Sequence, residues 1–303
     1  MEKKWMIAIG LVAVLVVAAV AVVALNPGTS AKTKVTERGS DTLLELMQNL
    51  AEDFNAESKT ASVQVSGGGS SVGITALIEK TVDVAQASRA MKSSEIENAT
   101  AHGVNPVEWK VAIDGIAIIV NSDNPVEDIT IEQLRGIYNG TYTNWNQLDD
   151  SYPDEPITAF GRQSTSGTFE FFKEHVMKKG DFAPTVTQET GNAQIASKVQ
   201  STEGGIGYVG IGYAKEATGA KILLVKEDAD SQAYSPLDKD AVYGQDYALW
   251  RYLYLYTDGT PEGAVHDWIS YVLSDEAQNI VEEVGFYKLP ADVLTEMRNQ
   301  LNA

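Results

Sequence analysis

From Lys34 onward, short alternating or β-branched runs trade places with runs of helical period, and that alternation confines the chain to a sheet covered by helices. "KVTERGS" reads as a strand. The segment after it reads as a helix, because Leu43, Leu44, Met47, Leu50, Ala51 and Phe54 recur at helical spacing. That helix should open on Ser40, Asp41 and Thr42. "ASVQV" alternates as a second strand, "SGGGSSVG" turns, "ITALIEK" begins another helix and "VDVAQAS" is a third strand. "GIAIIVN", Gly115 to Asn121, is a buried strand by length and branching, and "NPVEDITIEQLRGIYNG" turns at Pro125 into a helix capped near Thr130. "PITAF", "GGIGYVGI", "KILLV" and "LYLYT" supply further strands. Helices are expected from Ser166, over "GNAQIASKVQST" and, as one long helix, over "PEGAVHDWISYVLSDEAQNIVEEVG". The aromatic-rich "ALWRYLYLYT" reads as scaffold, since its Leu/Tyr alternation is that of a strand with one buried face.

Three junctions share a pattern in which a strand runs out into Ser, Thr and Gly residues that open a helix: Ser40-Asp41-Thr42, Ser70-Ser71 and Ser166-Gly167-Thr168. Each alone is explained by capping, for which Ser, Thr and Asp are the preferred residues. Three together can converge, and helix N-termini then offer unpaired N–H groups and a positive dipole end to a tetrahedral oxyanion. Arg89 follows the third strand and Arg162 follows "PITAFG", and an arginine fork suits phosphate or carboxylate. "GGGSSVGIT" lacks the Gly-Lys-Ser/Thr of a P-loop and does not spell G-x-G-x-x-G, which argues against ATP and NAD. His102, His175 and His266 show no metal-ligand spacing, and "RQSTSGT" is not a G-x-S-x-G elbow, so neither a metal centre nor a Ser166 nucleophile is expected.

The compartment is set by the N-terminus. Lys3 and Lys4 precede 21 uncharged, almost wholly apolar residues, Trp5 to Leu25, which as a helix would measure about 31 Å, one hydrocarbon core. Length favours an anchor that is kept over a cleaved signal peptide, and either reading exports the rest. The chain of 303 residues has no cysteine, which excludes disulfides, thiol chemistry and a lipid-modified cysteine anchor. Removing Glu2, Lys3 and Lys4 from 42 acidic and 23 basic residues leaves 41 against 21. Nucleic acid and anionic lipid are poor partners for such a surface. A small anion in a deep site is not excluded, because charge is screened over about 8–10 Å.

With these residues in hand, the chain from about Lys34 to its end resembles the PstS family, the extracytoplasmic phosphate-binding proteins of phosphate ABC transporters. The resemblance is carried by "GSDTLLELMQNLAEDF", "VSGGGSSVGITALIEKTVDVAQASR", "DGIAIIVNSDNPVEDITIEQLRGIYNGTYTNWNQL", "GRQSTSGTFEFF", "GGIGYVGIGYA" and "WISYVLSDEAQNIVEEVGFYKLP" in that order.

The resemblance implies a two-lobed α/β fold of the type II periplasmic-binding-protein kind, each lobe a mostly parallel sheet flanked by helices, with the ligand in the cleft. Residues 1–26 would be signal peptide or anchor and 27–33 a tether. Residues 34–115 with 241–303 would form lobe I and 116–240 lobe II, the chain crossing near Gly115 and again near residue 240. It implies inorganic phosphate as ligand, permease subunits as partners, attachment to the membrane through the N-terminal segment, a monomer, and no cofactor, metal or catalysis. Position by position, Thr42, the backbone of Leu43, and Ser70 match contacts on one lobe. Arg162, Ser166, Gly167 and Thr168 match the R-x-x-x-S-G-T element on the other, with Ser88 and Arg89 at the end of the third strand and Ser40, Asp41 and Ser71 flanking. Two positions depart from the pattern of some members: Ser88 stands where an Asp accepts the phosphate proton, and Ser164 where an Asp holds the binding arginine. Ser88, then Asp41, are the candidates for that acceptor. Sulfate, molybdate or tungstate binding, a phosphatase, and a phosphate sensor or adhesin on the same scaffold are the alternatives.

Overall fold

Strand β4 (Pro106–Asn121) organises the molecule because it changes partners halfway along. The computed structural model describes residues 32–303. The expectations for the apolar segment 1–26 and for the tether up to residue 31 lie outside the described residues. Up to Gly115, β4 runs antiparallel to β11 (Trp250–Asp258), with Asp114 opposite Arg251. From Ile116 to Val120 it runs antiparallel to β8 (Gly205–Gly210), and Ile119–Asn121 also pair with β9 (Ala220–Ile222). Beyond β11 lie β3 (Val84–Ala87), β1 (Thr33–Gly39) and β2 (Ala61–Ser66), with β1 and β3 parallel. Beyond β8 lie β6 (Thr158–Arg162) and β7 (Thr187–Glu189), again parallel. The result is one nine-stranded sheet with parallel strands on both flanks, plus a two-stranded pair of β5 (Asp128–Thr130) and β10 (Leu224–Lys226). From Val111 to Asn121 every residue of β4 is buried, as a strand covered on both faces requires.

The helices follow the expected rhythm: α1 (Leu44–Glu57), α2 (Ser70–Ile78), α3 (Ser93–Ala101), α4 (Ile131–Tyr138), α5 (Gly167–His175) and α6 (Asn192–Gln200). After them come α7 (Ile211–Glu216), α8 (Lys239–Tyr243), α9 (Gly263–Val272), α10 (Asp275–Glu283) and α11 (Ala291–Leu301). Thr130 caps α4 as expected, accepting the Gln133 N–H while the Gln133 side chain reaches back.

Four local expectations are corrected. The strand read as Gly115–Asn121 begins at Pro106, because Glu108 and Lys110 are half-buried residues whose charge hides the strand. "KILLV" splits at buried Leu223 into β9 and β10, which join different sheets. The long C-terminal helix is two, since the Ser274 hydroxyl accepts the Ala277 N–H and starts α10 afresh. Helix α2 starts at Ser70 rather than at Ile74.

Two aromatic groups anchor the core. Trp268 meets Phe54 edge-on at 5.4 Å and stacks on Tyr271 at 6.0 Å, while Phe172 stacks on Tyr208 at 4.0 Å beside Tyr138. Each fully buried side chain of this size contributes about 1.5–3 kcal/mol of transfer free energy. The packing holds the carboxyl ends of β1, β3 and β6 at one edge, the place where open α/β sheets bind ligands.

Candidate functional site

Three helix N-termini meet at that edge. β1 ends at Gly39, and the Ser40 hydroxyl accepts the N–H groups of Thr42 (3.2 Å) and Leu43 (3.4 Å) at the mouth of α1. Ser40 is fixed in turn by Gln86 of β3, whose side chain donates to the Ser40 carbonyl at 2.7 Å. At α5 the Ser166 hydroxyl accepts from Thr168 N (3.1 Å) and Phe169 N (3.4 Å). At α2 the cap is Gly69, not a serine: its φ of +98° suits glycine, and a Cβ there would stand 2.4 Å from the Thr165 carbonyl. The Ser71 N–H donates to that same carbonyl at 3.2 Å, tying the start of α2 to the loop before α5.

The convergence is direct. Thr42 Oγ1 and Thr168 Oγ1 are 2.8 Å apart, across 126 residues of sequence. Ser70 Oγ accepts the Ser88 N–H at 3.0 Å and lies 3.3 Å from Ser88 Oγ. Gly167 closes on this pair: a Cβ there would fall 2.3 Å from Ser70 Oγ and 2.5 Å from Ser88 Oγ, so only glycine lets α5 approach. Ser40, Thr42, Ser70, Ser88, Ser166 and Thr168 are all buried.

Arg162 brings the charge and is 0% exposed. Its backbone N–H donates to the Tyr208 hydroxyl (3.1 Å), Nη1 donates to Asn192 Oδ1 (3.0 Å), and Nη2 donates to Asp41 Oδ2 (3.0 Å) and the Thr190 carbonyl (3.1 Å). Its Nε is buried without a protein partner. Burial presses the guanidinium pKa down and Asp41 opposes that. Asp41 Oδ1 accepts the Gly68 N–H at 2.8 Å, so this carboxylate joins α1, the loop before α2 and β6. It supplies the partner that Ser164 cannot.

Arg89 behaves differently. Nη1 and Nη2 each donate to a Glu95 oxygen at 2.7 Å, Nη1 also donates to the Ala90 carbonyl, and Nη2 donates to the Ser71 hydroxyl at 3.0 Å. The structure therefore places Arg89 and Ser71 beside the cradle, with the fork spent on its own surroundings. The other predicted residues, Thr42, Leu43, Ser70, Ser88, Arg162, Ser166, Gly167 and Thr168, lie together.

Three residues escaped the sequence reading. Asn192 opens α6 and orients Arg162, and the same Oδ1 also accepts the Gly210 N–H at 3.4 Å. "TQETGN" is a fourth strand running into a helix opening, which was the available signal. Asp114 of β4 and Arg251 of β11 form a buried ion pair, and Arg251 Nη2 also donates to Thr168 Oγ1 at 3.0 Å. In "WRYLYLYT", Arg251 falls in phase with buried Leu253 and Leu255, so it is a cation on the inner face. An open cleft of about 840 Å³, lined by Arg89, Lys92, Phe171, Trp250, Arg251 and Tyr254 among others, adjoins the site.

Among the described residues no group of His, Cys, Asp and Glu could hold a metal ion. His102 and His175 each bond a carbonyl of their own helix. The cradle offers hydroxyl and N–H donors, with every arginine matched by a carboxylate. Such a set can bind an oxyanion by directed hydrogen bonds without large net charge.

Known proteins are similar to this chain in sequence and in fold. A model of the PBP superfamily domain matches residues 26–276. A phosphate-binding protein PstS of Pseudomonas aeruginosa is 32% identical over 321 aligned positions, covering 99% of this chain and 98% of that one. One of Staphylococcus saprophyticus is 32% identical over 268, covering 87% and 83%. Among solved structures, a protein of Clostridium perfringens described as a phosphate ABC transporter substrate-binding protein, with bound phosphate, superposes with a TM-score of 0.75 at 28% identity, covering 85% of this chain and all of that one. An ABC-type phosphate transport receptor of Vibrio cholerae gives 0.69 at 29%, covering 84% and all of that chain. With a superfamily model over most of its length and PstS relatives at this identity, the chain belongs to the PstS phosphate-binding protein family of the PBP superfamily.

Proposed function

We propose that this protein captures inorganic phosphate outside the cytoplasm and hands it to the permease subunits of an ABC transporter. The observation that carries this reading is the meeting of three helix N-termini, with Thr42, Ser70, Ser88, Ser166 and Thr168 buried beside Arg162. Residues 34–115 with 241–303 act as one lobe and 116–240 as the other, hinged where β4 exchanges β11 for β8. Phosphate is then gripped by Thr42, the Leu43 N–H, Ser70 and Ser88 from one side and by Arg162 and the Ser166–Thr168 turn from the other. The permease recognises the closed, loaded form. The apolar segment Trp5–Leu25 directs export and keeps the monomer at the membrane.

Energetics permit this. Hydrogen bonds to a charged group contribute about 1.5–3 kcal/mol each. Micromolar binding needs only about 8 kcal/mol net, so seven or eight contacts suffice after dehydration and closure costs. Rejection of sulfate needs an acceptor that meets the ligand's proton. We assign that role to the Ser88 hydroxyl, since each Asp41 oxygen already holds a donor. A phosphatase would need an activated nucleophile, and the Ser166 oxygen is engaged in capping α5.

Thermal stabilisation of the full chain in detergent by phosphate, arsenate, sulfate and molybdate tests the assignment, because a ligand of the native state raises its stability. Phosphate and arsenate should raise the melting temperature. Stabilisation by sulfate or molybdate instead would overturn it.

A further inference from the structure

We propose that Arg251 is a positioning residue of the anion site, holding the Thr168 hydroxyl as a donor and so favouring a dianion. The inference rests on the phosphate reading above. Arg251 stands opposite Asp114 in the β11–β4 register, 4% exposed, with Asp114 fully buried. Nε and Nη2 donate to Asp114 Oδ2 at 3.0 and 2.7 Å, and Asp114 Oδ1 accepts the Ile211 N–H at 3.0 Å. A purely structural pair would need no bond to a residue of the cradle. Instead Nη2 also donates to Thr168 Oγ1, which touches Thr42 Oγ1.

A hydroxyl carries one proton and two lone pairs. Arg251 occupies one lone pair of Thr168, and the contact between the two threonines consumes one of their two protons. Whichever threonine donates, one hydroxyl proton is left for a ligand. Arg251 has no acceptor atom, so in either arrangement of the two threonines the group it starts ends in a hydroxyl donor. Hydrogen bonds that begin at a cation are stronger than neutral ones and polarise the next in line. Because Asp114 cancels the charge of Arg251, the effect is one of direction, and it grows with the charge on the ligand oxygens.

Replacing Arg251 alone would leave Asp114 buried and unpaired. The test is therefore the joint replacement Arg251→Met with Asp114→Asn, in wild type and in Thr168→Val, with phosphate titrated calorimetrically on either side of its second ionisation. The expected result is about tenfold weaker binding, a larger loss for the dianion than for the monoanion, and little further loss in the Thr168→Val background. Equal affinity with and without the pair, or losses that multiply with Thr168→Val, would overturn the role of Arg251. Should the joint variant fail to fold, Arg251→Lys keeps the charge and loses the fork. A several-fold loss confined to the dianion then supports the proposal, and unchanged affinity overturns it. A wild-type chain that retains no phosphate would remove the phosphate reading and this inference with it.

Discussion

The ends of β3 and β6 each carry a buried arginine, and the fold uses the two in opposite ways. Arg89 is held mainly by Glu95, six residues along, and by its neighbour Ala90, with one further bond to Ser71, 18 residues back. Arg162 is held by Asp41, 121 residues away, and by Asn192 and Thr190, 30 and 28 away. A fork held mostly by a carboxylate six residues away keeps that ion pair whatever the other end of the sheet does. A fork filled from afar takes its orientation only when β6, α6 and the start of α1 are assembled. Under the proposed division into lobes, Asp41–Arg162 also crosses between them, so the same bond that orients the arginine proposed to bind phosphate favours closure.

The largest effect that sharpens this contrast concerns a carboxyl with no arginine at all. Glu37 is buried in β1, accepts from Trp268 Nε1 at 2.6 Å, and has its other oxygen unpartnered. Burial pushes its pKa up to about 8 from 4.5, against the pull of the Trp268 bond. The folded state thus holds a proton that the unfolded state releases. Stability is full below about pH 4.5 and declines as pH rises to about 8, by a few kcal/mol. Glu37→Gln should abolish that decline in urea midpoints followed against pH. Parallel losses in both proteins would mean Glu37 is not its source.

Next in size is Arg162→Ala, which removes charge and fork together and should weaken phosphate binding at least tenfold, the minimum for losing one charged hydrogen bond. Unchanged affinity would place the charge elsewhere. Ser88→Ala should narrow the phosphate-over-sulfate ratio several-fold in competition binding. If the ratio holds, the proton acceptor is another group.

The smallest effect on binding is expected at Glu95→Gln, which should leave phosphate affinity within about threefold and cost about 1.5–3 kcal/mol of stability, the range for a charged hydrogen bond. Burial raises the Glu95 pKa, but Arg89 and the Lys92 N–H outweigh it and leave the carboxyl below its usual value. The stability from this pair is therefore present above about pH 4.5 and lost as pH falls through the lowered pKa. A large loss of phosphate affinity would erase the distinction between the two arginines.

How far the sequence discloses this site follows from where each partner lies. Ser166 and Thr130 cap helices that begin at the next residue, and Ser40 holds the turn that leads into α1 four residues on, so local spacing reveals them. The Ser166–Thr168 turn and Arg162 could be read for the same reason. Arg251 could not, because a strand with one buried face is read from its Leu and Tyr residues, and a single inward cation is lost in that pattern. Its partner Asp114 lies in a stretch of β4 that Glu108 and Lys110 disguise. The break at Ser274 was missed because a serine inside a helical period differs from a cap only by which N–H its hydroxyl meets. In each case the deciding contact is distant in sequence or resides in a single hydrogen bond.

Titration calorimetry of the full-length chain with phosphate and then sulfate decides whether the cradle is a phosphate site. One phosphate should bind per chain at micromolar affinity or tighter, with sulfate at least about a hundredfold weaker. Absence of phosphate binding, or sulfate binding of equal strength, would contradict it.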